Sequence, residues 1–113
     1  MRAEELRIGN YVIDEFGDCR KILHLNKSSV EFDYGIIDMY ENLKSVPLTE
    51  DWLLKFGFIK LEGWDDTFFF QLNNVQILEY NISGYDYDDF NIKNVHQLQN
   101  LYFALTGEEL TIK

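Results

Sequence analysis

Two histidines and one cysteine are the side chains here best suited to metal or nucleophilic chemistry, and their spacing assembles neither. His24 sits in the apolar run 19–25, and His96 opens the last helical pattern. Neither has a second His or Cys at the i, i+4 spacing that places two ligands on one helix face. Both are therefore expected to be structural, His96 through hydrogen bonds at its helix start. Cys19 follows the turn Gly17-Asp18, and Arg20 and Lys21 would lower its thiol pKa a little. A catalytic thiol also needs a positioned base, so a semi-buried strand cysteine is the expectation. One cysteine allows no internal disulfide and no cysteine-rich zinc site. The glycines are scattered singly, with no GxGxxG or GxxxxGK[ST], so no phosphate cradle is indicated.

Carboxylates are the abundant groups: 20 acids against 10 bases, a net charge of −10 in 113 residues. Adjacent pairs such as Asp14-Glu15, Asp65-Asp66 and Asp88-Asp89 are ordinary at that density. Residues 86–89 (DYDD) could begin a calcium loop, but its sixth and twelfth positions would be Asn91 and Gln97 rather than Gly and Glu. No metal or cofactor is expected. What stands out is position. Residues 61–92 hold seven acids, eight aromatics and no Lys or Arg, while the other 81 residues carry 13 acids and 10 bases. The plain reading is a sheet with aromatics inside and acids in water. The sharper one is an acidic-aromatic recognition surface formed by Trp64, Asp65, Asp66, Tyr85, Asp86, Tyr87, Asp88 and Asp89. Such a surface suits a protein partner with a basic groove, and an acidic chain can imitate a nucleic-acid backbone. Direct nucleic-acid binding is not expected, because it needs a basic footprint; Arg20, Lys21 and Lys27 form the one local candidate. No run approaches the ~18 apolar residues of a membrane span, and MRAEELRIGN has no apolar secretory core, so a cytoplasmic protein is expected.

These residues need elements to hold them, and the length fits one domain, 1–113. Before Pro47 the pattern predicts short strands at 11–13, 19–25, 30–34, 36–37 and 43–46, turning at Gly17-Asp18, Asn26-Lys27-Ser28 and Gly35. A small curled sheet or SH3-like barrel follows from that spacing. Residues 48–57 (LTEDWLLKFG) predict a short helix, with Thr49 as N-cap, Glu50 and Asp51 on the positive dipole end and Gly57 as terminator. An antiparallel meander is expected next, with strands at 58–61, 67–72, 75–80 and 90–92. Residues 94–106 (NVHQLQNLYFALT) predict a helix with Asn94 and Gln97 as a capping box. Its apolar stripe is Val95, Leu98, Leu101, Tyr102 and Leu105. Leu110 and Ile112 then suggest a tail strand. The fold class is α+β.

The segments LRIGNYV (6–12), VPLTEDWLLKFGF (46–58) and VHQLQNLYFALTGEEL (95–110) resemble a family of small uncharacterised proteins from Bacteroides-type bacteria and their phages and prophages. The resemblance covers about a third of the chain and carries no active site. It implies an accessory protein that works by binding host machinery, including defence systems. The expected function is therefore a non-enzymatic acidic binding protein that modulates or inhibits a host protein. The rivals are a small virion structural or assembly protein, and a small enzyme in which Cys19, His24 or an acid pair converge.

Overall fold

The structure, a computed structural model, describes residues 1–64, 67–73, 75–81, 84–88 and 90–113, with 76–81 given by backbone alone. Alternating apolar residues between closely spaced turns form six short strands: β1 Tyr11–Ile13, β2 Cys19–Lys21, β3 His24–Leu25, β4 Ser29–Glu31, β5 Ile37–Met39 and β6 Lys44–Ser45. They build two three-stranded sheets, β2-β1-β6 and β3-β4-β5. Ile22, fully buried between β2 and β3, keeps the pairing continuous: its N–H donates to the Asn10 carbonyl (2.9 Å) and its carbonyl accepts from Gly9 N (2.8 Å). Residues 19–25 are thus one extended segment that bends from one sheet into the other. Among the described residues β5 and β6 do not pair, so the expected SH3-like barrel stays open. Strand β4 also ends earlier than its alternation predicts. Tyr34 and Gly35 both take positive φ (63° and 72°) to close a tight loop, which throws Tyr34 into solvent.

Two compact units account for the chain. The first comprises Met1–Pro47 with Asn94–Leu101, and its core joins Leu6, Val12, Ile22, Val30, Phe32, Tyr40 and Leu43. Fully burying each such side chain contributes about 1.5–3 kcal/mol. Helix α2, Val95–Thr106, has its first two turns in this unit. Asn94 N–H donates to Gln97 Oε1 (3.1 Å), one half of the expected capping box.

The second unit comprises Leu48–Lys93 with Tyr102–Lys113. Helix α1 spans Glu50–Lys55, with the Thr49 hydroxyl accepting from Trp52 N (3.4 Å) and Gly57 at φ 94° closing its end. Five strands follow: β7 Ile59–Glu62, β8 Phe68–Leu72, β9 Val75–Asn81, β10 Gly84–Tyr87 and β11 Phe90–Ile92. They form one antiparallel meander in sequence order. β10 was not among the expected strands, although it lies inside the acidic-aromatic stretch. Strands β8 and β10 both slip register against β9, which carries one extra residue near position 79. Such a bulge bends and twists the sheet locally. Asp88, directly after β10, takes φ 54°, a left-handed conformation that Asp tolerates and tight hairpins require. Leu110 is buried, but residues 109–113 form no strand.

Candidate functional site

The pleat of the five-stranded sheet decides which residues of the acidic-aromatic stretch face water. Tyr85 pairs with Ile92, and both are buried; its ring meets Phe70 edge-on at 5.9 Å. Tyr85 therefore belongs to the inner face, with Phe70 and Val75, and supports the surface from beneath instead of presenting itself to a partner. Asp86 takes the opposite face. Its Oδ1 accepts from Asn91 Nδ2 (2.8 Å) across the β10–β11 ladder. Asp88 is exposed at the hairpin turn, Trp64 is 86% exposed, and Tyr87 is half-buried beside Phe90, which is 68% exposed. Asp65, Asp66 and Asp89 lie outside the described residues. So the structure brings Asp86 and Asp88 to the surface and sends Tyr85 inward.

Three further residues share the outer face and were not expected there. Leu61 pairs with Phe69 and Ile59 with Gln71, all on the side opposite Phe70. Ile59 is 65% exposed and Leu61 is exposed as well. Phe69 packs against the backbone of Gly63, where a Cβ would stand 2.2 Å from its ring. Their signal was present: 59, 61 and 69 have the parity opposite to the buried Phe70 once the β7–β8 register is known, and register is what single-strand periodicity lacks. The result is an apolar stripe on the same sheet face as Asp86.

Among the described residues the inner side opens into two hollows. One, of about 370 Å³, is lined by Leu48, Thr49, Glu50, Lys60, Phe68 and Tyr85. Within it Lys60 Nζ holds Glu50 at 2.6 Å and lies 4.2 Å from the Phe68 ring centre. The other, an open and polar groove of about 740 Å³, is lined by Tyr87, Asn73, Val75, Leu105, Thr106 and Glu108. Asn73 there donates to the Tyr102 hydroxyl (2.6 Å).

The remaining candidates lie in the first unit, and each has its own surroundings. Cys19 is exposed, contrary to the semi-buried position expected, because β2 is an edge strand. It lines a hollow of about 320 Å³ with Tyr11, Arg20, Lys21, Phe32 and Asp33. Burial, with Cys19 nearby, pushes the Tyr11 phenol above its ordinary pKa. The guanidinium of Arg20 is committed to the buried Asp14 at 2.6 Å. Burial alone would raise the Asp14 carboxyl. The bond from Arg20, the N–H donors of Asp18 and Phe16 and the Arg20 charge together outweigh burial and hold it below the usual range. His24 is exposed and stands 4.0 Å from Glu31 across the β3–β4 pair. His96 is buried, and its Nδ1 finds no hydrogen-bond partner among the described residues, so the expected bond at the helix start is not made by that atom. Burial lowers its pKa, against the opposing charge of Glu5. Among the described residues no three of His, Cys, Asp and Glu are grouped to hold a metal. No described helix is long and apolar enough to cross a membrane. Compared with known protein families, with curated proteins and with solved structures, the chain matches none.

Proposed function

We propose that the chain is a binding protein that captures a basic protein partner on the outer face of its five-stranded sheet, as an accessory protein of a phage or prophage acting on a host protein. One observation carries the reading. The apolar stripe of exposed Ile59 and Leu61 and half-buried Phe69 shares its sheet face with Asp86, and residues 61–92 hold no Lys or Arg. Apolar side chains supply contact area, and an unopposed acidic field speeds encounter with a basic surface and selects against acidic ones. The resemblance of residues 6–12, 46–58 and 95–110 to small phage and prophage proteins supports the host-directed part of the reading. The test is recovery of a partner from bacterial lysate by the wild type, by Asp86→Ser/Asp88→Ser and by Phe69→Ser, with thermal melts to establish that each variant folds. Loss of one discrete partner in both variants, and elution of that partner by salt, is the expected result. Equal recovery by all three would sink this surface.

A further inference from the structure

We infer that β7 is a self-complementary sheet edge through which two copies of the chain pair antiparallel, extending the five-stranded sheet across a twofold axis at Leu61. β7 is the terminal strand of its sheet, and all four of its residues, Ile59 to Glu62, are exposed. Such an edge offers unpaired backbone groups to any matching strand. The direction of those groups follows from the ladder. Gly63 N–H donates to the Thr67 carbonyl (2.8 Å), so residues 63, 61 and 59 turn their backbone groups toward β8. Alternation then turns those of Lys60 and Glu62 outward.

A twofold axis perpendicular to the sheet keeps each residue on its own face, so cross-axis partners must have the same parity. With the axis at Leu61, Lys60 of one copy stands opposite Glu62 of the other, and Glu62 opposite Lys60. These are the outward-facing residues, so four backbone hydrogen bonds form where the opposite charges meet. Leu61 then faces Leu61 as a close, non-hydrogen-bonded pair, and Ile59 lies opposite Gly63, whose missing side chain is filled by the Phe69 ring. The two apolar stripes merge into one. The alternative axis at Lys60 would set Lys60 against Lys60, which the charges disfavour. This pairing does not depend on the proposed function, because it is read without any other protein.

The experiment is sedimentation velocity on the full chain from about 10 µM to 1 mM in ~0.15 M salt, where charge repulsion between copies is screened. The wild type is expected to dimerise with concentration. Lys60→Glu or Glu62→Lys replaces both attractive pairs with repulsive ones and should raise the dissociation constant about tenfold or more. Lys60→Glu/Glu62→Lys restores opposite charges and should recover the dimer. In a Cys19→Ser background, Leu61→Cys should form a disulfide-linked dimer on mild oxidation, since such a pair has Cα atoms about 4.5 Å apart. Lys60→Cys should not. A wild type monomeric at 1 mM, a double variant as weak as the singles, or cross-linking at 60 equal to that at 61 would each overturn the inference.

Discussion

Gln99 is the residue whose replacement most directly tests how the first unit is held. It is 1% exposed, and its side chain joins helix α2 to the chain entering β1. Its Oε1 accepts from Tyr11 N (2.9 Å) and from Asn10 Nδ2 (3.4 Å), while its Nε2 donates to the Gly9 carbonyl (2.9 Å). Gln99→Leu keeps the volume and strands two backbone groups, the Tyr11 N–H and the Gly9 carbonyl. Asn10 loses only the longer of the two bonds its Nδ2 donates, since Asn100 Oδ1 still accepts at 2.9 Å. A stranded buried group costs ~1–3 kcal/mol, and the added apolar burial returns part of it, so a net loss of about 2–4 kcal/mol is expected. Against a total stability of roughly 5–15 kcal/mol that is a large fraction, and it lowers the melting temperature by about 8–16 °C. Urea unfolding followed by circular dichroism measures it. Gln99→Glu sharpens the test. It keeps the acceptor for Tyr11 but sets a carboxylate oxygen against the Gly9 carbonyl, so its folded pKa is raised above the free value. Relative to wild type it should regain stability as pH falls through that raised pKa, when the protonated acid donates to Gly9 again. A Gln99→Leu protein within about 0.5 kcal/mol of wild type would refute the network as the joint between α2 and β1.

Two further outcomes follow from the titrating groups of the first unit. His96 has a folded pKa below its ordinary value, so the unfolded chain takes up the proton more readily; its contribution is complete above about pH 6.5 and lost as pH falls below that. Urea midpoints at pH 7.5 and 5.5 should therefore differ more for wild type than for His96→Gln. Asp14 is the mirror case: its depressed pKa adds stability that is present above its unfolded pKa near 3.8 and lost as pH falls through the folded one. Asp14→Asn should cost about 1.5–3 kcal/mol at pH 7 and flatten the acid limb of the stability curve, because it removes the charge-assisted bond to Arg20.

Helices α1 and α2 were legible because their signals are local: Thr49, Gly57, Asn94 and Gln97 act within four residues of where they stand. Most strands and the meander order of β7 to β9 were legible, but β10 was missed, residues 19–25 divide into β2 and β3, and the order of the two three-stranded sheets was not legible, because pairing depends on register between distant segments. Tyr85 shows the cost. In sequence it is one of several aromatics among acids, and only its pairing with Ile92 places it inside. β10 hid for a related reason, since Gly84 and the aspartates read as turn residues although Tyr85 and Tyr87 alternate with Asp86 and Asp88. Tyr34 failed in the opposite direction, because alternation continued past the point where two positive-φ residues had already turned the chain. In α2 the apolar stripe named Val95, Leu98 and Tyr102, which are buried, together with Leu105, which is exposed. It passed over the buried Gln99, because a polar residue declares itself as interior only through its partners.

The same logic explains why one residue type has two fates in this chain. Asp14 and Asp38 are buried, and each is surrounded by donors. Asp14 takes the N–H groups of Phe16 and Asp18 with Arg20, and Asp38 takes those of Glu15 and Met39 with Asn42 Nδ2. Those carboxylates shape the loop between β1 and β2 and hold it to β5, so they are spent on folding. The segment 61–92 has no Lys or Arg of its own to neutralise a buried acid, and burying an unpaired carboxylate costs far more than a hydrophobic contact returns. The pleat resolves the conflict by parity: the inner face takes Phe70 and Tyr85, and Asp86 goes outward with one bond from Asn91. It is donor supply, more than the number of acids, that separates carboxylates consumed by the fold from those left facing solvent.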